Sequence, residues 1–302
     1  MADFALYLFM AEVEKLFIND EKYIFSIEKD SEEYPVCWKD LPDAPNVLYG
    51  RGDKSLLKTR ILTIVGSRRT PLQALKTGAQ IAQELSNEFT IATGTADGGD
   101  GAAIEGALKG SGKVICLLAG GFSAIPQGNL PLLSQVAKKG LLLSPHPFET
   151  KVRTFSYEYR NKLLAKMGEG TLVLGAAEKS GALITARYAK DFEKLIFALP
   201  YPPGASAGAG CNALIKQGGY LTESAADVLE RFGIHATERK SSVTLTEEET
   251  KLYAALKDMS EGHITQLSAV SGIPTFKAMA ILSALEVKGL AVSIGGNRYS
   301  II

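Results

Sequence analysis

From residue 61 to 232 the chain repeats one pattern, a short apolar run followed by a longer stretch with apolar side chains at helical spacing. The runs fall at 61–65, 89–93, 113–118, 140–143, 171–174, 194–199 and 219–221. The helical stretches between and after them are 72–87, 100–109, 130–138, 156–167, 181–190, 211–217 and 224–231. Runs such as Lys113-Val-Ile-Cys-Leu-Leu118 do not alternate with polar residues, which is the pattern of strands covered on both faces. Strand and helix in strict alternation predict an α/β fold with a doubly wound, mostly parallel sheet. Ligands of such sheets bind beyond the carboxyl ends of the strands, and the unusual residues of this chain cluster at those ends.

The flanks follow other patterns. Residues 1 to about 60 have weak periodicity. Met1 to Met10 read as a short amphipathic helix, and Tyr34-Pro35, Leu41-Pro-Asp-Ala-Pro45 and Val47–Gly52 read as turns around short extended pieces lying against the main domain. Residues 233–243 are polar and read as a linker. From 244 to 302 a capping box at Thr246-Glu-Glu-Glu249 opens a helix to about Met259. A helix–turn–helix around Ser271-Gly-Ile-Pro274 and a hairpin over 289–302 then complete a winged-helix outline. Its second helix carries only Lys277 and Lys288 as cations, beside Glu286, which is a poor match to duplex phosphates and favours an accessory or protein-contacting role.

Composition narrows the function classes. The 302 residues are 46% hydrophobic and 22% charged, with zero formal net charge and a pI near 6.9. No global basic field advertises a nucleic-acid partner, so any such binding must come from a local patch. Cys37, Cys116 and Cys211 are far apart and form no CxxC, which argues against a disulfide scaffold or a zinc site and makes a reducing cytoplasm the default compartment. The apolar start lacks a basic flank and soon meets Glu12, Glu14 and Lys15, unlike a signal peptide. No apolar run approaches the ~18 residues of a membrane span.

The candidate chemistry begins at Ile61-Leu-Thr-Ile-Val-Gly-Ser-Arg68, a strand running into a turn with Pro71 placed for the first turn of the next helix. Such a junction points free N–H groups and the helix dipole at an anion, and Arg68 adds a bidentate phosphate partner. Taken alone, the stretch reads equally well as a structural turn with a surface arginine. Thr93-Gly-Thr-Ala-Asp-Gly-Gly-Asp-Gly-Ala102 places four glycines where backbone could approach a ligand. The densest basic segment holds Lys151, Arg153, Arg160, Lys162 and Lys166, interleaved with Phe155, Tyr157 and Tyr159. Cations with aromatics suit single-stranded nucleic acid, against the plainer reading of a solvated helix face. Ser180 and Thr185 open the helix after 171–174 as caps or ligand contacts.

In order and spacing these motifs resemble the DNA-processing protein A (DprA/Smf) family. The matching pieces run from Leu48–Gly52 and Val65-Gly-Ser-Arg68 through Gly94-x-Ala96 with Gly98 and Asp100 to Ala103 and Ala107-Leu108. They continue with Pro126 and Asn129, Arg160-Asn161, Ser180-Gly181, Leu183-Ile-Thr-Ala186, and Gly210-x-Asn212 with Leu214-Ile215 and Gly218. The resemblance implies an extended Rossmann-like domain, dimeric, with a basic pocket for the backbone of single-stranded DNA that is passed to the RecA recombinase in natural transformation. It implies no catalysis and no cofactor. By position the pocket carries over to Gly66, Ser67, Arg68, Arg160, Asn161 and Lys162, with Gly94, Asn129, Ser180, Thr185 and Asn212 as further candidate contacts. The chain departs from the family pattern at Asp97 (usually arginine), Gly99 (isoleucine), Ile104 (histidine), Pro145 (an acidic residue), Glu158 (proline) and Gly175 (glutamate). Asp97 would repel DNA if it lay beside the phosphate pocket.

Two other functions compete. A nucleotide-binding enzyme or sensor could use the same loops, with Glu105 or Asp100 as general base. Of the three histidines only His146 lies in the main domain, and its prolines and phenylalanine mark it as a surface turn residue rather than a catalyst. A duplex-DNA regulator acting through 244–302 is disfavoured by the few cations in that segment.

Overall fold

The computed structural model describes residues 24–125, 128, 130–234 and 245–301. The amphipathic helix expected at the amino terminus, Pro126, Asn129 and nearly all of the 233–243 linker lie outside the described residues. The chain divides into two compact units, 1–235 and 236–302.

The first unit is built on a nine-stranded sheet. Its strands are β1 (Phe25–Glu28), β2 (Val47–Gly52), β3 (Ile61–Val65), β4 (Thr90–Thr93), β5 (Val114–Leu117), β6 (Leu141–Ser144), β7 (Gly170–Val173), β8 (Leu195–Ala198) and β9 (Tyr220–Leu221). The spatial order is β1-β2-β6-β5-β4-β3-β7-β8-β9. From β3 to β9 all neighbours run parallel, and only β1 and β2 are antiparallel. The helices α1 (Leu72–Leu85), α2 (Gly99–Lys109), α3 (Leu130–Lys139), α4 (Thr154–Met167), α5 (Ala182–Asp191), α6 (Ala209–Lys216) and α7 (Ala225–Arg231) occupy the stretches whose spacing predicts them. This is the Rossmann-like doubly wound architecture.

Alternation along each strand feeds two apolar layers. Leu62, Ile64, Ile91, Cys116, Leu142 and Leu172 face α1, α2, α3 and α7 through side chains such as Ile81, Ile104, Leu133 and Val228. Ile61, Val65, Ala92, Ile115, Leu143 and Val173 face the other way, against Leu163, Leu164 and Ala186 of α4 and α5. The chain winds outward through β4, β5 and β6 on one side of β3, then returns to start β7 on the other. Strand order therefore reverses between β3 and β7, which opens a crevice at their carboxyl ends.

The lead-in differs from expectation. Its described part does not merely lie against the domain, because β2 pairs with β6 and β1 with β2, extending the sheet at that edge. Tyr34 and Trp38 are buried in the layer under α4. The Trp38 indole donates to the Leu163 carbonyl at 3.0 Å, and the Tyr34 hydroxyl to the Pro45 carbonyl at 2.7 Å. An apolar segment with satisfied polar tips completes the core where the parallel strands alone would leave α4 uncovered.

The second unit holds α8 (Glu247–Met259), β10 (Glu261–His263), α9 (Ile264–Ser271), α10 (Thr275–Val287), β11 (Ala291–Gly295) and β12 (Arg298–Ile301). Its sheet has the order β10-β12-β11. Thr246 and Glu249 form the reciprocal cap: the Glu249 N–H donates to Thr246 Oγ1 at 3.2 Å and the Thr246 N–H to Glu249 Oε2 at 2.7 Å. The two cations of α10 and its end are tied back to α8, Lys277 to Glu248 and Lys288 to Glu249 at 2.6 Å. No described helix in either unit is long and apolar enough by itself to cross a membrane.

Trp38→Ala removes a fully buried indole and its hydrogen bond, and should cost about 3–5 kcal/mol of unfolding free energy, read by urea denaturation followed by circular dichroism. Burial pushes the Cys37 thiol up to about 11 and Cys211 up to about 12, and Cys116 is buried in the sheet. The native protein should therefore react slowly with a disulfide reagent at about pH 8, and at all three thiols only after denaturation.

Candidate functional site

The crevice at the reversal of strand order is built by close backbone approach. A Cβ on Gly99 would lie 2.2 Å from the Gly66 Cα, so the turn after β3 rests on the first turn of α2 with no room for a side chain at either position. The contact requires glycine at 99 in this chain. It also delivers Asp100 beneath both loops. Its carboxylate accepts long hydrogen bonds from the Gly66 N–H at 3.4 Å and the Ala96 N–H at 3.3 Å.

Arg160, from α4, reaches the same place from the opposite side. Its Nε donates to Asn161 Oδ1 at 2.9 Å and its Nη1 to the Leu117 carbonyl at 3.3 Å, while Asn161 Nδ2 donates to the Gly181 carbonyl at 3.2 Å. Gly94 separates the two charges. A Cβ there would sit 2.2 Å from Arg160 Nη1 and 2.3 Å from Asp100 Oδ2. Burial pushes the Asp100 carboxyl up, opposed by the Arg160 charge and the two amides. Burial pulls Arg160 down, opposed by Asp100, and a guanidinium keeps its proton in such a setting.

The expectation of free amides at the Gly66-Ser67-Arg68 turn is corrected for Gly66 and Ser67. The Gly66 N–H goes to Asp100, Ser67 donates to the Gly175 carbonyl at 2.8 Å, Arg69 to Ser67 Oγ at 3.1 Å, and Thr70 to the Ser67 carbonyl at 3.2 Å. Pro71 is the N-cap rather than a first-turn residue, so α1 begins at Leu72, beyond the turn. Of the amides in the turn, only the Arg68 N–H has no partner among the described residues. Most of the attraction for an anion therefore falls to side chains.

Those side chains surround a cavity of about 330 Å³. Gly66, Ser67, Arg68 and Arg69 form one wall, Ala96 and Asp100 the floor, Tyr157, Arg160 and Asn161 of α4 a second wall, and Ser180, Gly181, Ala182 and Thr185 at the start of α5 a third. Arg68 and Arg69 are exposed and, among the described residues, form no ion pair. Thr185 is 1% exposed, and its hydroxyl has no hydrogen-bond partner in the structure. Ser180 caps α5, its hydroxyl accepting the Ala182 N–H at 3.3 Å, while still lining the cavity. Among the described residues no group of His, Cys, Asp and Glu could hold a metal ion.

Two candidate contacts lie elsewhere. Lys162 is bound to Asp43 at 2.7 Å on the outer side of α4. Asn212 clamps the backbone of Tyr201, accepting its N–H at 3.0 Å and donating to its carbonyl at 2.9 Å. The departures from the family pattern also stay out of the cavity lining. Asp97 is exposed and not on a wall, Ile104 is in the core, and Pro145 is buried. Glu158 is neutralised by Arg187 at 2.9 Å and the Tyr188 hydroxyl at 3.0 Å. Glu105, one of the two candidate bases, is exposed on α2 and does not reach the cavity.

A profile described as DNA recombination-mediator protein A matches residues 25–233, most of the chain. The chain belongs to this family. It is 36% identical to the DNA processing protein DprA of Bacillus subtilis over 217 residues, covering 70% of this chain and 72% of that protein. With the Streptococcus pneumoniae DprA it shares 34% identity over 209 residues, covering 69% and 73%. The X-ray structure of the S. pneumoniae protein superposes with a TM-score of 0.66 over 70% of this chain and 75% of that one. A Helicobacter pylori family structure, determined to show how that protein binds single-stranded DNA, superposes at 0.63 with 28% identity over 69% and 95%. The family match ends at the first unit, the part that carries the cavity.

Gly94→Ala should drive its methyl group between Arg160 and Asp100 and destabilise the fold by about 1–3 kcal/mol. Gly181→Ala, where a Cβ meets nothing within 4 Å and the backbone is helical, should leave thermal stability unchanged or slightly raised. Melting temperatures of the two variants check both.

Proposed function

We propose that this protein binds single-stranded DNA without a catalytic step, holding the sugar–phosphate backbone in the cavity at the β3–β7 reversal. The observation that carries the reading is the pair of exposed arginines, Arg68 and Arg69, which form no ion pair among the described residues, at the rim of a cavity whose floor holds Asp100 between two loop amides and near Arg160. Phosphate meets net positive charge there, and the inner wall adds Asn161 and the unpartnered Thr185 hydroxyl. The family relationship and the strand-binding H. pylori relative support the same reading. In this proposal Gly66, Ser67, Arg68, Arg160, Asn161, Ser180 and Thr185 are the phosphate-facing set, Gly94 makes room for the buried charges, and Lys162 and Asn212 support the scaffold.

The biological role we assign is the one the family resemblance implies. The protein protects incoming DNA in the cytoplasm and hands it to a RecA recombinase during natural transformation, acting as a homodimer through the first unit. The second unit serves as an accessory, with a winged-helix outline and its α10 cations already engaged by α8. The competing nucleotide-enzyme reading is left with Asp100 alone as a base, and that carboxylate is occupied by two amides and Arg160.

Binding of a labelled strand of roughly 30 nucleotides should weaken steeply with salt, and a matched duplex should bind far less. Arg68→Ala should weaken binding and reduce the slope of log K against log salt by about 0.7 for each phosphate the variant no longer neutralises. Fluorescence anisotropy across a salt series reads both. An unchanged slope in Arg68→Ala would remove the pocket assignment.

A further inference from the structure

A second cavity, of about 450 Å³, lies on the other side of the first turn of α4. It is lined by His146, Glu149, Lys151, Arg153 and Phe155, from the segment between β6 and α4 and from the start of α4. Helical spacing explains the partition. Tyr157, Arg160 and Asn161 turn toward the Arg68 cavity, and Phe155, two residues before Tyr157, points roughly opposite, into the second one. Beneath them Ser156 is buried, accepting the Arg153 N–H on its hydroxyl at 3.2 Å and fixing the turn.

The lining is unusual in three respects. Phe155 is 62% exposed, a large apolar side chain that no core contact explains. Lys151 and Arg153 are exposed and, among the described residues, unpaired, whereas Lys162, Lys166 and Arg187 of the same region are bound to Asp43, Asp40 and Glu158. His146 is not the open turn residue its sequence context suggests. Its ring packs at 6.0 Å from Tyr159, and its Nε2 is buried without a hydrogen-bond partner. Burial pulls its pKa down, which keeps the ring neutral at physiological pH, with one donor and one acceptor nitrogen. An unsatisfied polar atom, a free aromatic face and two unpaired cations around one concavity are the complement of a nucleotide: base edge, base face and phosphodiester.

We propose that this second cavity is a neighbouring nucleotide subsite. The strand leaving the Arg68 cavity crosses the first turn of α4, one base stacks on Phe155 with its edge toward His146, and Lys151 and Arg153 take the adjoining phosphate. The exposed Glu149 carboxylate keeps the phosphate on the Lys151 and Arg153 side. This rests on the single-strand reading of the first cavity and adds a second contact surface along the strand.

The test measures anisotropy of the full-length protein with two labelled strands of roughly 30 units, one oligothymidine and one with abasic sugars throughout. Phe155→Ala should bind oligothymidine about tenfold more weakly or worse, with an unchanged salt slope, and should bind the abasic strand like the parent protein. Phe155→Trp should restore oligothymidine binding. Lys151→Ala should lower the salt slope by about 0.7 on both strands. If Phe155→Ala binds oligothymidine as the parent does while Arg68→Ala is weakened, the second subsite is overturned and the first stands. The same holds if Phe155→Ala loses affinity equally for the abasic strand. If the parent protein binds neither strand, both readings fall together.

Discussion

A carboxylate cannot be buried under a sheet edge unless something answers its charge, and Asp100 sets this requirement on the crevice of the first unit. Two loop amides and the Arg160 guanidinium answer it. For Arg160 to arrive, α4 must cross close to the end of β4, and position 94 can then carry no side chain. For the amides to arrive, the turn after β3 must rest on α2, which excludes a side chain at Gly66 and Gly99. The glycines of this region are thus not a flexible loop wrapped around a ligand. They are the clearance needed to bring a buried guanidinium near a buried carboxylate.

That arrangement decides where binding energy can come from. A Rossmann-like turn ordinarily offers backbone amides and a helix dipole to phosphate. Here Asp100, the Gly175 carbonyl and Ser67 take up those amides except the Arg68 N–H, and α1 begins only at Leu72, beyond the turn. Most of what remains is attraction from exposed guanidinium groups, which is sensitive to salt and tolerant of sequence. In a chain of zero net charge a local positive field requires carboxylates to be matched by other cations, as Asp43, Asp40 and Glu158 are by Lys162, Lys166 and Arg187.

The strand and helix stretches of the first unit follow from local apolar runs, so they are legible residue by residue, whereas the order of the strands, and with it the reversal that positions the crevice, is set by pairing across the sheet. The lead-in is not, because Trp38 and Tyr34 find their partners in α4 and the β2 loop, contacts invisible to local periodicity. Site residues divide on the same line. Gly66, Arg68, Arg160, Ser180 and Thr185 sit at strand ends or on a helix face that spacing can place. In sequence Lys162 looks equivalent to Arg160, yet its fate is set by Asp43, 119 residues away. The amides of the turn look free because their acceptors, Asp100 and Gly175, come from two other βα units.

The departures from the family pattern obey the same packing logic. An acidic side chain at 175 would start from a Cβ 2.5 Å from Thr70 Oγ1 and 2.7 Å from the Tyr201 hydroxyl, so glycine there goes with a tyrosine that fills the space and bonds the Leu174 carbonyl at 2.6 Å. Losing proline at 158 puts a carboxylate on the surface of α4, and Arg187 of α5 answers it. Asp97 stands in solvent above the loop, outside the cavity wall. Of these positions, 175 is filled by Tyr201 and Glu158 is matched by Arg187, and neither Asp97 nor Glu158 lines the crevice. A chain can drift this far in sequence and keep a positive cavity, because the constraint acts on the balance around Asp100 and Arg160, not on every residue of the motif.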